Sequence, residues 1–212
     1  GQAQFAQALA KTVQEEALKI AQELANARPV AADDERLGGD AIDEDTSVVV
    51  DLLQNDQRAD GGTLTDATLL SVGAATNGDV EILAQQEVLT FGGAGEDVEY
   101  KLFINGTEIY YKGLSSENAA AVANKVILAI NSNTEFNSTV IASSDSDGVV
   151  RITALQAGQP FEVAEEDANI SVANDVANGT VRYTPKSNYN GNDSFTYTVA
   201  NNAEVPSYSS AT

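Results

Sequence analysis

Asn178-Gly179-Thr180-Val181-Arg182-Tyr183-Thr184-Pro185, followed by Asn188-Tyr189-Asn190-Gly191-Asn192-Asp193-Ser194-Phe195-Thr196-Tyr197-Thr198-Val199, is the stretch that decides the fold. Each half opens on turn residues and runs on into Thr, Val, Tyr and Phe. β-Branched and aromatic side chains suit a pleated, half-buried surface. Asn-Gly dipeptides supply the tight turns between such runs. Short strands broken by turns every few residues are what a two-sheet sandwich requires. Tyr183, Phe195 and Tyr197 are expected to pack between its sheets.

The same texture lies upstream. Ser47-Val48-Val49-Val50-Asp51-Leu52-Leu53 reads as a buried strand. Leu69-Leu70-Ser71-Val72 and Asp79-Val80-Glu81-Ile82-Leu83 follow, and the Asn77-Gly78 between them reads as a hairpin turn. Residues 86–165 form a different pattern. Val88–Phe91 is a strand, and Glu99–Ile104 and Glu108–Tyr111 make a hairpin around Asn105-Gly106. Ser115 or Ser116 is positioned to cap a helix reaching about Ser132. A second hairpin turns at Asp145-Ser146-Asp147-Gly148, so the unit reads strand-strand-helix-strand-strand. Residues 1–28, rich in Ala, Gln, Glu and Leu, predict an amphipathic helix of roughly seven turns. Its stripe is Phe5, Leu9, Val13, Ala17, Ile20 and Leu24, and Arg28-Pro29 ends it. A helix of this kind is marginal unless its stripe is covered, either by its own domain or by a neighbouring subunit.

Composition removes whole classes of chemistry. The 212-residue chain contains no Cys, His, Met or Trp. Histidine-based triads and the usual zinc, haem, copper and iron–sulfur sites are thereby excluded. There are 32 acidic against 11 basic residues, a formal charge of −21. Such a polyanion is repelled by nucleic acid and by anionic membranes. Its natural partners are divalent cations, Ca²⁺ above all, although acidity also serves solubility alone. Carboxylates such as Glu165, Glu166 and Asp167 read as a solvated run, not as a glycosidase pair. No stretch is apolar for long enough to span a membrane. Beginning at Gly1 and lacking Met, the chain reads as mature or excised, with any export signal outside it.

Specific blocks then point to a family. Asp43-Glu44-Asp45-Thr46, Val50-Asp51-Leu52-Leu53-Gln54-Asn55-Asp56 and Ala59-Asp60-Gly61 before Thr63-Leu64-Thr65 resemble the opening of a bacterial cadherin-like/immunoglobulin-like tandem repeat of large surface adhesins and matrix proteins. Asn178–Val181, Tyr183-Thr184-Pro185, Tyr189-Asn190-Gly191 and Asp193–Val199 are similar to its second half. The resemblance implies a mainly β fold, an immunoglobulin/cadherin-like β-sandwich built discontinuously from residues 30–85 and 168–212. An inserted ββαββ unit (86–165) and the N-terminal amphipathic α-helix (1–28) complete the expected domains.

The resemblance also implies Ca²⁺, carried by Asp33 and Asp34, by Asp43, Glu44 and Asp45, and by Asn55, Asp56 and Asp60. The chain departs from the pattern at Arg58, Gly62 and Ala32, each of which removes a ligand. A salt bridge from Arg58 to a neighbouring carboxylate is the alternative to a metal there. The family pattern further implies one more edge strand after Val199, of which Val205–Thr212 is only the beginning. Either the chain is a slice of a longer array or a neighbour completes the sheet. Together these features imply a non-enzymatic, extracellular cell-surface protein, a fibre or biofilm-matrix subunit that assembles with itself through its termini. The alternative is an adhesin module that binds a glycan or receptor through the inserted unit, with Tyr100, Tyr110 and Tyr111 as candidate contacts, at least one of them expected to face the core.

Overall fold

The computed structural model describes residues 2–34, 45–64, 67–93, 97–201 and 208–211. The chain opens with helix α1 (Gln2–Asn26), built from strong helix formers and stopped just before Arg28-Pro29. Three short strands follow, β1 (Pro29–Val30), β2 (Val48–Asp51) and β3 (Gln57–Arg58), and then β4 (Thr68–Val72) and β5 (Gly78–Ile82). The middle of the chain holds β6 (Gln86–Phe91), β7 (Glu99–Ile104), β8 (Thr107–Lys112), helix α2 (Ala119–Ser132), β9 (Val140–Ser146), β10 (Val149–Ala154), β11 (Val163–Glu165) and β12 (Ile170–Val176). β13 (Thr180–Pro185), β14 (Tyr197–Ala200) and β15 (Tyr208–Ala211) follow.

Two three-stranded antiparallel sheets, β2-β13-β5 and β15-β14-β4, make the sandwich. Each takes strands from both sides of the middle region. Leu52, Leu69, Val181, Tyr197 and Val199 are its buried core, with Val50, Val72, Ile82 and Phe195 packed around them. Each such side chain contributes about 1.5–3 kcal/mol when fully buried. A second core lies in the middle region. There the sheets β12-β6-β10-β9 and β11-β7-β8 close on α2, whose Val122, Ala123, Val126 and Ile130 face Leu89, Leu102, Ile104 and Val150.

The two halves share a ribbon. β13 lies against β5, with Pro185 opposite Gly78 and Val181 opposite Ile82. β12 lies against β6, with Val176 opposite Gln86 and Ile170 opposite Phe91. The Leu83 amide donates to the Thr180 carbonyl at 2.9 Å between them. An antiparallel pair of segments, 78–91 and 170–185, therefore runs from one core into the other.

Several expectations are revised. Asn77-Gly78 joins no hairpin, because β4 pairs with β14 while β5 pairs with β13. The glycine is needed for a different reason, since a Cβ there would stand 2.3 Å from the Tyr183 ring. Asn105-Gly106 does turn a hairpin, with φ of 49° and 78°. Positive φ at both positions gives the turn whose twist matches its strands. The α2 cap is Asn118, not Ser115 or Ser116, and its side chain accepts from the Ala121 amide at 2.9 Å. The middle region holds three strands before α2 and four after it, because β6 takes partners on both edges and β7 takes β11. Tyr183 lies half-buried at the sandwich margin and donates to Asp193 at 2.9 Å, outside the core that holds Tyr197. A last edge strand does form, with β15 paired to β14 from Ala200–Tyr208 to Tyr197–Ala211.

Candidate functional site

The acidic residues that come together do so where α1 meets the sandwich. β1 and β3 pair, Ala59 N–H donates to the Arg28 carbonyl at 2.8 Å, and the Asn201 amide donates to Ala27 at 3.2 Å. This pins residues 31–34 over the loop that follows β2. The Asn55 amide donates to the Asp33 carbonyl at 3.0 Å, and the Ala32 N–H donates to Asp56 Oδ1 at 2.8 Å. From β14, the Tyr197 hydroxyl reaches the same point. It stands 2.9 Å from Asp56 Oδ1, 2.8 Å from the Ala32 carbonyl and 3.2 Å from the Leu52 carbonyl. One hydroxyl proton serves three acceptors, so the junction has more acceptors than donors.

The electrostatics follow from that imbalance. Asp56 is only 4% exposed. Asp34 Oδ2 and Asp56 Oδ2 are buried without a hydrogen-bond partner among the described residues. Burial pushes the Asp34 carboxyl up to about 6, the Tyr197 hydroxyl partly offsets this, and the charges of Asp56, Asp51 and Asp33 add to the rise. Burial also raises Asp56 and Asp51, although Asp51 accepts from the Leu53 amide at 3.1 Å. The Tyr197 phenol is driven up by burial and by its bond to Asp56. Negative charge is thus crowded into a poorly solvated place, and a proton or a hard cation is what would relieve it.

Of the residues expected to bind Ca²⁺, the structure brings together Asp33, Asp34, Asn55 and Asp56. It separates the others. Asp60 is taken by Arg58 at 2.8 Å, the salt bridge anticipated as the alternative, and accepts from the Gly62 amide at 2.9 Å. Asp45 accepts from the Asn188 amide at 2.8 Å, between turns of the sandwich. Asp43 and Glu44 lie outside the described residues. Asp51 and Tyr197 belong to the junction although their sequence context marked them only as part of a strand and as a core aromatic. The orphaned oxygens and all-oxygen donor set suit Ca²⁺. Among the described residues, however, no three acidic groups stand in metal-ligating geometry.

The aromatic contacts expected of an adhesin do not assemble. Tyr100 is 1% exposed in the second core, and its hydroxyl donates to the Gly93 carbonyl at 3.0 Å. Tyr111 is half-buried and bonded to Glu117, which together with burial pushes its phenol up to about 12. Only Tyr110 of the three faces solvent.

The most exposed apolar surface is on α1. Phe5, Leu9, Val13 and Ile20 are 72%, 55%, 60% and 48% exposed. The stripe that the sequence marks for burial is uncovered. Among the described residues no helix is long and apolar enough to cross a membrane.

A family model for the bacterial Ig domain matches residues 26–101 and 118–212. The chain belongs to the bacterial Ig domain family. Both stretches run beyond the sandwich into the middle region, and only residues 102–117 between them are unmatched. The first holds β2, β4 and β5, the second holds β13, β14 and β15, and both sheets of the Ig sandwich need strands from each. In coarse terms an Ig domain of this family is a surface or structural module, and the family is typically non-enzymatic. No curated protein matches this Ig-family chain.

Proposed function

We propose that this Ig-family chain is a non-enzymatic extracellular structural protein, a subunit or segment of a bacterial surface fibre or biofilm-matrix filament that joins its neighbours through α1. The observation that carries the reading is the uncovered stripe of α1. The protein invests 25 residues in one helix, anchors its C-terminal end by β1 and β3, and leaves its apolar side in water. Burying four such side chains supplies several kcal/mol to an association, enough for a specific contact if orientation is favourable. Leu9→Glu with Val13→Glu tests this. The purified protein is expected to lose its fibres in negative-stain microscopy while its thermal unfolding is unchanged. Fibres of normal abundance in the double variant would overturn the reading.

A cation at the junction belongs to the same proposal. Asp34 and Asp56 would supply two of the oxygens to a Ca²⁺ ion, whose charge would balance the crowded carboxylates and stiffen the root of α1. The support is the pair of orphaned buried oxygens on Asp34 and Asp56.

A further inference from the structure

β8 is the outer strand of the sheet β11-β7-β8, and among the described residues no strand pairs with its far side. The turn at Asn105-Gly106 sets its hydrogen-bond alternation. Ile104–Thr107, Leu102–Ile109 and Tyr100–Tyr111 are the pairs bonded to each other across the hairpin. The N–H and C=O groups of Glu108, Tyr110 and Lys112 consequently point outward, away from β7. These three side chains share the solvent face: Tyr110 is 49% exposed, and the Glu108 and Lys112 side chains are 50% each.

Other edges of the middle region are protected or broken. At β9, Asn131 of α2 accepts from the Ala142 N–H and donates to the Ala142 carbonyl, both at 2.8 Å. That amide stands where the peptide of a neighbouring strand would stand. β12 carries a register shift between Asn174 and Val176, and β11 has three residues. β8 keeps six residues in unbroken register. Open, regular edges of this kind recruit another strand unless something blocks them.

We propose that β8 is a self-association edge, pairing antiparallel with β8 of a second copy about a two-fold axis at Tyr110. In that register Tyr110 opposes Tyr110, Glu108 opposes Lys112 and Lys112 opposes Glu108. All three are outward-bonding positions, so the three pairs exchange about six backbone hydrogen bonds. Charge selects the arrangement. A parallel in-register pairing would set Glu108 on Glu108 and Lys112 on Lys112, and like charges directly opposite are repulsive. A two-residue slip from the two-fold register loses both Glu–Lys pairs. Within each copy Asp97 lies 2.7 Å from Lys112, and Lys101 lies 3.3 Å from Glu108. Each cross-axis pair therefore extends an alternating row from Asp97 and Lys112 to the second copy's Glu108 and Lys101. This matters in a molecule whose net charge of −21 otherwise repels a copy of itself. An isologous contact closes at two copies, which separates it from the α1 contact of the fibre.

The test uses the full chain with Leu9→Glu and Val13→Glu, so that assembly through α1 does not intrude. Sedimentation velocity at roughly physiological ionic strength, where charge is screened beyond about 8 Å, is expected to show concentration-dependent dimers. Glu108→Lys alone and Lys112→Glu alone should each weaken dimerisation roughly ten-fold or more, because two attractive pairs become repulsive. An equimolar mixture of the two variants should restore it, since every cross-axis pair is then Lys opposite Glu. Narrow antiparallel pairs bring Cα atoms to about 5.5 Å, within disulfide reach. With no native cysteine to interfere, Tyr110→Cys should crosslink to dimers under mild oxidation, and Ile141→Cys should not. Monomers at all concentrations, charge variants that dimerise as well as the parent, a mixture without rescue, or equal crosslinking at both cysteines would overturn the proposal.

Discussion

α1 and α2 carry comparable apolar stripes and end in opposite situations. In α2 the stripe of Val122, Ala123, Val126 and Ile130 is buried between two sheets. In α1 Phe5, Leu9, Val13 and Ile20 lie in solvent. A 3.6-residue period states that a helix has a face to bury. It does not state whether the covering surface is on the same chain. The surroundings differ as well. α2 is capped by Asn118 and surrounded by strands, whereas α1 rests on β1 and β3 at one end and is supported along its length by exposed pairs such as Lys11–Glu15 and Lys19–Glu23. Such pairs add only a few tenths of a kcal/mol each.

Polar substitution on each stripe gives the sharpest contrast. Val126→Asp is expected to cost about 4 kcal/mol or more, enough to unfold the middle region, because it buries an unpaired carboxylate. Val13→Asp should leave the unfolding midpoint of the sheets within about 0.5 kcal/mol. Urea titration followed by far-UV circular dichroism measures both. A large loss from Val13→Asp would show that α1 packs on its own domain, and the contrast would disappear.

A smaller effect concerns the start of α2. Asn118→Ala removes the bond to the Ala121 amide and should destabilise the protein by about 1 kcal/mol. Hydrogen exchange of the first turn of α2 should rise without a matching change in α1.

An effect of similar size concerns the root of α1 and depends on pH. The folded state raises Asp34 to about 6. It therefore favours the protonated form, and this contribution is complete below the ordinary aspartate value and lost as pH rises through 6. Asp34→Asn keeps the shape and removes the charge. It should stabilise the metal-free protein by on the order of 1 kcal/mol at pH 7.5 and by nothing measurable at pH 4. Millimolar Ca²⁺ should raise the melting temperature of the parent at pH 7.5, not at pH 4, and leave Asp34→Asn unmoved. A parent indifferent to Ca²⁺ at pH 7.5 would remove the cation from the proposed function.

Much of this was legible in the residues. Val, Thr and aromatic runs located β2, β13 and β14, and Arg28-Pro29 marked the end of α1. Strand partnership was not legible from local signals. Asn77-Gly78 looks like a hairpin turn, but β4 and β5 bury their apolar residues in opposite sheets, and pairing across more than 100 residues prevails over the dipeptide. The junction was half legible. The family resemblance pointed to Asp34 and Asp56, while Arg58 claimed Asp60. Asp51 looked like part of a strand and Tyr197 like core, because only the fold brings a hydroxyl from β14 to the loop after β2.

The ribbon of segments 78–91 and 170–185 has a mechanical meaning. A domain hung on two loose loops swings freely and transmits no torque. Here the connection is two ladders, one ending at Val181–Ile82 and the other at Val176–Gln86, bridged by the Leu83–Thr180 bond. Bending it means breaking ladder bonds, and twisting it means twisting both sheets to which it belongs. The middle region is thus joined to the sandwich by backbone pairing on both sides of the junction, and a load on β6 and β12 passes directly to β5 and β13.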